Sequence, residues 1–491
     1  MQRTIVAQCT PIGSGTLAVI RISGPQSLQI ADHIGQLANQ QKISVQAANT
    51  INYGAVIEHI TAPRNLPENL VNYEKALLDQ TKLENQTFEI IDRAMFSVFR
   101  APKSFTGEDT VEINCHNNQL IINQIINLAL KFGANLAQRG EFSQQAFLNK
   151  KLDLTQVEAL NELIHANTDQ ALKKSLAQLS GSLSHWLVAI EAQLLQALAL
   201  SEASFEFLDE EFDFGPQILV IIEKLELTLR ELQVKFNQDQ QLKTGIKIAI
   251  IGPPNAGKSA LFNRLVQQER AIVTEIAGTT RDTIEAGWQL GKYLVTFVDT
   301  AGLRKTSETI EQLGITRSLQ AAQTADVILL VFDSTRNSTS YTETELAEYQ
   351  ELIKLYNHKI LLVLNKCDLD NRNTPPSTVA RGDVASEIPI LVSAQTGANL
   401  DQLKQALENK IQSLLGANNS PFLLNQRHNV IISDLLTQLT VIKQLLTQSQ
   451  VAYELLSINL NDALVTISEL TGKTISEQAM DKIFQEFCVG K

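Results

Sequence analysis

A chain of 491 residues is too long for one compact core, and 44% hydrophobic with 19% charged residues is the balance of a folded globular protein rather than a disordered one. The formal net charge of -12 argues against broad nucleic-acid binding driven by counterion release, while leaving room for RNA contacted through a local basic patch. Four scattered cysteines, Cys9, Cys115, Cys367 and Cys488, form no CxxC pair, so no zinc site or disulfide framework is expected and a reducing compartment is the simpler reading.

The N-terminus breaks at Pro11 before a signal-peptide core develops, and no run approaches transmembrane length, so a cytoplasmic protein with no membrane association is expected. From 1 to 118, short apolar runs at 17–22, 94–99 and 111–113 between Gly, Pro and Asn punctuation predict a small α/β domain. The polar stretch 60–86 reads as a surface excursion from it. From 119 to 243 the pattern becomes helical, and Leu172, Leu176, Leu179, Leu183, Leu187, Ile190 and Leu194 predict one buried stripe. The acidic patch 202–213, with Phe205, Phe207, Phe212 and Phe214 interleaved, reads as a solvated loop with aromatic anchors.

Between 244 and 416, strand-like runs at 246–251, 294–298, 327–332, 360–364 and 388–392 alternate with helical segments, which implies a mostly parallel sheet with helices on both faces. From 417 to 491 the chain is helical again, with Ile431, Leu435, Leu439, Ile442 and Leu446 on one face. The expected fold is multidomain, α/β and α, with the 244–416 domain inserted into a helical one.

A strand at 247–251 runs into Gly252-Pro-Pro-Asn-Ala-Gly-Lys-Ser259 and on into a helix, the setting a P-loop requires. Gly252 and Gly257 let backbone N–H groups of Asn255, Ala256 and Ala260 face phosphates, Lys258 adds charge near the β- and γ-phosphates, and Ser259 offers its hydroxyl to magnesium. Asp299-Thr300-Ala301-Gly302 follows a second strand, placing a carboxylate near the magnesium and an amide near the γ-phosphate. Asn365-Lys366-Cys367-Asp368 resembles the guanine-reading NKxD element, whose aspartate accepts from N–H groups that adenine lacks, and Ser393-Ala394 resembles the last base-contacting loop. The order of the four points to a GTPase. Leu303 stands where Ras-like GTPases carry a water-orienting glutamine, so hydrolysis needs another arrangement.

Gly278-Thr-Thr-Arg-Asp282 resembles switch I of the GTPase group that includes Era and MnmE. With Ile5-Val-Ala-Gln8, Arg21-Ile-Ser-Gly24, Ser104-Phe-Thr-Gly-Glu-Asp109, Gly140-Glu-Phe-Ser143, Ala146-Phe-Leu-Asn149, Leu152-Asp-Leu154 and Phe487-Cys-Val-Gly-Lys491, the chain resembles, end to end, the MnmE (TrmE) family of tRNA modification GTPases. That resemblance implies an N-terminal tetrahydrofolate-binding domain that forms a homodimer, a helical domain and an inserted Ras-like P-loop GTPase domain. It implies GTP hydrolysis coupled to C5 modification of the wobble uridine of certain tRNAs, with the FAD-dependent partner MnmG and a one-carbon unit from 5,10-methylenetetrahydrofolate. Thr280 becomes the switch threonine on magnesium. Potassium stands in for an arginine finger, held by Asn255, Thr274, Ile276 and Thr279 in a loop that also contains Glu275, Ala277 and Gly278. Glu311 takes the place of the water-orienting acid, acting as general base through a water. Folate contacts fall on Arg21, Glu112, Lys151 and Lys491; a carboxylate such as Glu112 suits the adjacent N–H donors of a pterin.

The chain departs from that pattern at Asn117-Asn118, at Gln145 and in Asn425-Gln-Arg427, which is poor in arginine. His116 reads as a structural histidine with a satisfied ring, not a metal ligand, and Cys488 as a thiol unsuited to lipidation beside Gly490 and Lys491. The alternative reading is a ribosome-assembly switch of the Era type, which predicts a C-terminal RNA-binding domain that the helical tail does not resemble.

Overall fold

The computed structural model describes residues 3–13, 15–59, 88–206, 213–267, 287–291, 293–298, 320–336, 343–369, 389–415 and 420–490. The 60–86 excursion and residues 207–212 of the acidic patch lie outside them. Two compact units emerge, Met1–Asn161 with Ser468–Lys491, and Glu162–Ile467.

Among the described residues the first unit is built on seven strands: β1 (Ile5–Gln8), β2 (Leu17–Ser23), β3 (Gly35–Leu37), β4 (Thr50–His59), β5 (Phe88–Phe99), β6 (Thr110–His116) and β7 (Asn135–Leu136). Their spatial order is β3-β4-β5-β6-β2-β1-β7, antiparallel except for β1 and β7. Side chains alternate with period two, so Ala18, Ile20, Ile22, Val111, Ile113 and Cys115 share one buried face. Helices Ser27–Ile34 and Gln119–Lys131 cover it, with Ile30, Ile34, Ile122 and Ile125 in the same core as Phe96 and Ile113. Register then puts Arg21 directly opposite Glu112 on the other face.

The boundary expected at 118 falls inside this unit. Asn118 caps helix Gln119–Lys131 by accepting from Leu120 N–H, and the chain beyond it returns to the sheet as β7. The C-terminal tail also belongs here rather than with the second helical stretch. Phe484 and Phe487 pack with Val157, Phe147 and Leu152, and Val489 bridges Arg139.

In the second unit the expected single stripe is broken. Helix Asp169–Leu179 ends before Gly181, whose φ of +95° stops the helical run, and helix Ser182–Glu206 restarts in a new phase. Leu183, Leu187, Ile190 and Leu194 are buried as expected, but Leu172 and Leu176 are exposed, and Ala171, Lys174, Ser175 and Gln178 take the inward positions. The expectation that no run approaches transmembrane length is corrected at Ser182–Ser204, 23 residues long and apolar enough by length and composition to cross a membrane. Its buried stripe is accounted for by packing, because helix Ser182–Glu206 and helix Gln426–Leu446 both lie against helix Gly215–Thr244. The face predicted for Ile431, Leu435, Leu439, Ile442 and Leu446 is buried.

Helix Gly215–Thr244 passes through Gly245 into a six-stranded sheet: β8 (Ile246–Ile251), β9 (Gly287–Leu290), β10 (Tyr293–Phe297), β11 (Val327–Asp333), β12 (Ile360–Asn365) and β13 (Ile390–Leu391). The order is β13-β12-β11-β8-β10-β9, parallel except for β9. Every residue of β11 and β12 is buried, because helices pack on both faces and form two apolar layers. The domain leaves through helix Leu400–Leu415 into the second helical stretch, an insertion as expected. The antiparallel edge strand β9 was not expected from its four residues, which gain strand geometry by pairing with β10.

Candidate functional site

Three loops emerge at the carboxyl ends of the parallel strands β8, β12 and β13, where open α/β sheets present their ligand crevice. The first, after β8, is the P-loop. Its Gly252 lies so close to β11 that a Cβ would overlap the Val331 carbonyl, and Gly257, at φ +87°, is pressed against Asn365 Nδ2 in the same way. Asn255 adopts φ +62° between them. Helix Lys258–Gln267 then starts with its unsatisfied N–H groups toward the loop, a natural anion seat.

Lys258 Nζ donates to the carbonyls of Gly252 and Pro253, each at 2.8 Å, so the ammonium is folded over its own loop. Burial pulls its pKa from 10.5 down to about 8. A phosphate beside it would favour the charged form. Ser259 follows, half-buried at the helix start, and its hydroxyl is a hard oxygen donor of the kind magnesium accepts.

Asn365 ties the three loops together. It is 1% exposed; its Nδ2 donates to the Ala256 carbonyl at 2.9 Å, and its Oδ1 accepts from Ala394 N–H at 3.0 Å. Cys367 N–H donates to the Val392 carbonyl at 3.1 Å, and the fully buried Ser393 accepts at Oγ from Thr396 N–H at 3.1 Å. Lys366 pairs with Asp333 at 2.7 Å, and Asp368 stands exposed two residues on. Residues far apart in sequence, Asn255 to Ala260, Asn365 to Asp368 and Ser393–Ala394, thus share one rim. Thr274, Glu275, Ile276, Ala277, Gly278, Thr279, Thr280, Asp299, Thr300, Ala301, Gly302, Leu303 and Glu311 lie outside the described residues.

The first unit contains a second cluster. Arg21 and Glu112 form a cross-strand ion pair at 2.8 Å, with both guanidinium contacts on Glu112 Oε1. The guanidinium carbon lies 5.3 Å from the ring centres of both Phe105 and Phe142. Lys151 Nζ donates to the Pro102 carbonyl at 3.0 Å, and its stem crosses Gly107, where a built Cβ would sit 3.2 Å from Lys151 Cγ. The loop 101–109 therefore carries Phe105 against Arg21 and receives Lys151. Lys491 lies outside the described residues.

Sequence reading overlooked Phe105, Phe142 and Asp333. The two aromatics sit inside the motifs Ser104-Phe-Thr-Gly-Glu-Asp109 and Gly140-Glu-Phe-Ser143, and Asp333 is the single charge closing the apolar run of β11; each was a visible signal without an assigned partner. His116 holds Asp92 through Nδ1 at 2.7 Å, the satisfied ring expected of it, on an exposed side chain. Asn117 and Asn118, departures from the family pattern, are absorbed locally: Asn117 Nδ2 donates to the carbonyls of Gly13 and Gly15, and Asn118 is the helix cap.

Residues 4–151 match the family described as GTP-binding protein TrmE N-terminus, and residues 154–488 match the MnmE helical domain. The junction between the matches, like the compact unit, lies well beyond 118. Proteins called tRNA modification GTPase MnmE from Flavobacterium psychrophilum, Parabacteroides distasonis and Chlamydia trachomatis are 33%, 34% and 35% identical to this chain. The similarity covers 99% of this chain in each case, and 99%, 100% and 99% of those proteins respectively. With the P-loop and its companion loops on one rim and relatives matched along nearly their whole length, the chain belongs to the family of tRNA modification GTPases MnmE.

Proposed function

We propose that this tRNA modification GTPase hydrolyses GTP to drive C5 modification of the wobble uridine, to aminomethyl or carboxymethylaminomethyl, with an FAD-dependent partner of the MnmG type. The observation that carries the nucleotide part is Asn365, which holds the P-loop and both base-side loops in one arrangement through two buried hydrogen bonds. Backbone N–H groups from Asn255 to Ala260 receive phosphate oxygens, and Lys258 neutralises their charge. Asp368 reads guanine N–H groups, with Lys366, Ser393 and Ala394 closing the base side.

Ser259 and Thr280 would hold magnesium, with Asp299 to Gly302 beside it, and the metal when bound draws charge from the β- and γ-phosphates. Potassium would be held by Asn255, Thr274, Ile276 and Thr279, within the nucleotide-contacting loop 274–280. Glu311 orients the attacking water as general base, the place left open by Leu303.

A tetrahydrofolate would be taken by Arg21, Glu112, Lys151 and Lys491. The donor set fits: an acid and a guanidinium for a heterocycle's N–H and carbonyl edge, with a lysine for a carboxylate tail. The sheet face that carries Arg21 and Glu112 also exposes Leu17, Ile51, Tyr53 and Met95, an apolar surface suited to a homodimer.

The test is nucleoside analysis of tRNA from a strain lacking this gene, complemented with the parent or with Lys258→Ala. Loss of the wobble modification restored only by the parent is the expected result. Unaltered modification with misassembled ribosomes would return the Era-type reading. Turnover of GTP should be faster in potassium than in sodium; equal rates would remove the potassium claim.

A further inference from the structure

Asp333 ends β11 opposite Asn365, the last residue of β12, in the parallel register. It is 5% exposed, and a carboxylate at that depth needs partners. Its oxygens divide the task. Oδ1 accepts from Thr335 N–H at 2.9 Å and from the Thr335 hydroxyl at 2.7 Å, while Oδ2 accepts from Lys366 Nζ at 2.7 Å. Burial alone would push this carboxyl upward, but the hydrogen bonds from Lys366 and Thr335 outweigh it and hold the group below its ordinary range.

Lys366 is itself unusual, with φ at +67° on a residue that carries a side chain. Its stem passes the P-loop, since a Cβ built on Gly257 would lie 4.0 Å from Lys366 Cε. A lysine with a loose end would sample many rotamers and offer no fixed surface. Anchored at both ends, by a strained backbone and by Asp333, the four-carbon stem becomes a rigid apolar rail between the P-loop and Asp368.

We infer that Asp333 is a positioning residue for nucleotide binding: by pinning the Lys366 ammonium it holds the lysine stem as the wall against which the base is seated. The inference rests on reading Asn365 to Asp368 as the base-contacting element. Asp333 touches no phosphate in this scheme, so its loss should weaken binding of ground state and transition state alike.

Asp333→Asn separates the two tasks, because the amide oxygen still accepts from Thr335 while the amide nitrogen faces the ammonium as a second donor. The KM for GTP and the Kd for GDP should rise about tenfold, the loss typical of one charge-assisted hydrogen bond, with kcat unchanged. Lys366→Met, which keeps the stem and drops the charge, should give a similar rise and provides the second route if Asp333→Asn fails to fold. The double variant should be no weaker than either single one, the mark of a shared interaction. An unchanged Kd in either single variant, a fall in kcat at constant KM, or losses that multiply in the double variant would each overturn the inference. Asp368→Ala distinguishes the underlying reading: if it leaves GDP and ADP affinities at parental values, the base-contacting assignment itself fails, whatever Asp333 does.

Discussion

In the proposed nucleotide site Asp368, the carboxylate assigned to the base, stands exposed at the end of a loop fixed by Asn365, whereas in the first unit Glu112 is already held by Arg21 at 2.8 Å. In the proposed scheme both places would offer a carboxylate to the adjacent N–H donors of a heterocycle, yet they differ in what binding must undo. Among the described residues of the G domain, Asn365 already ties the three loops together, so a nucleotide would add contacts to a preorganised rim. Lys258 is the exception, because its ammonium is engaged with two carbonyls of its own loop and would have to turn to meet a phosphate. In the first unit the charged groups satisfy each other, and the proposed ligand would share the pair or part it.

The sharpest test of that contrast is Lys258→Ala. Truncating the side chain proposed to neutralise the phosphates should weaken GDP binding by about a hundredfold or more, measured by titration calorimetry. Retention within a few-fold of parental affinity would mean that backbone groups alone carry the phosphates.

Arg21→Ala addresses the other side. With Glu112 left half-buried and unpaired, a tetrahydrofolate should bind about tenfold more weakly while GDP affinity stays parental. Tighter folate binding would show that Arg21 competes with the ligand for Glu112, and the contrast between the sites would then rest on inhibition rather than shared contacts.

The smallest effect is in pH. The Lys258 pKa is lowered by burial to about 8 from 10.5, so between these values the unfolded chain keeps a proton that the folded chain loses. This group therefore disfavours the folded state below about pH 8, and the penalty fades as pH rises toward 10.5. Phosphates favour the charged form, so GDP binding above this pKa should take up a proton, and affinity should fall by about fourfold at pH 8.5 relative to pH 7. Calorimetry in buffers of different ionisation enthalpy reads that proton directly; no uptake would place Lys258 in its charged state before binding.

How much of this was legible depends on the range of the interactions. The P-loop was readable because strand, turn and helix are contiguous and its residue types recur at fixed short spacing, although what presses on Gly252 and Gly257, Val331 and Asn365, comes from distant strands. Apolar runs such as those of β11 and β12 announced the parallel sheet, since strands buried on both faces need apolar residues throughout. The stripe from Leu172 to Leu194 misled because periodicity cannot register a helix break, and Gly181 resets the phase midway. The motif containing Phe105 was visible, but its stacking on Arg21 required the register that sets β2 beside β6 and brings in the loop 101–109.

The sequence by itself determined the guanine-nucleotide chemistry and the alternation of strands and helices around it, because these depend on residue types at short, fixed spacing. Only the tertiary structure decided that Asn365 locks three loops, that Asp333 holds Lys366, that Arg21 is paired with Glu112, and that the tail ending in Phe487 and Val489 belongs with the first unit. Each of these joins residues brought together by strand pairing or core packing, and no local pattern records which partner a buried polar group will find.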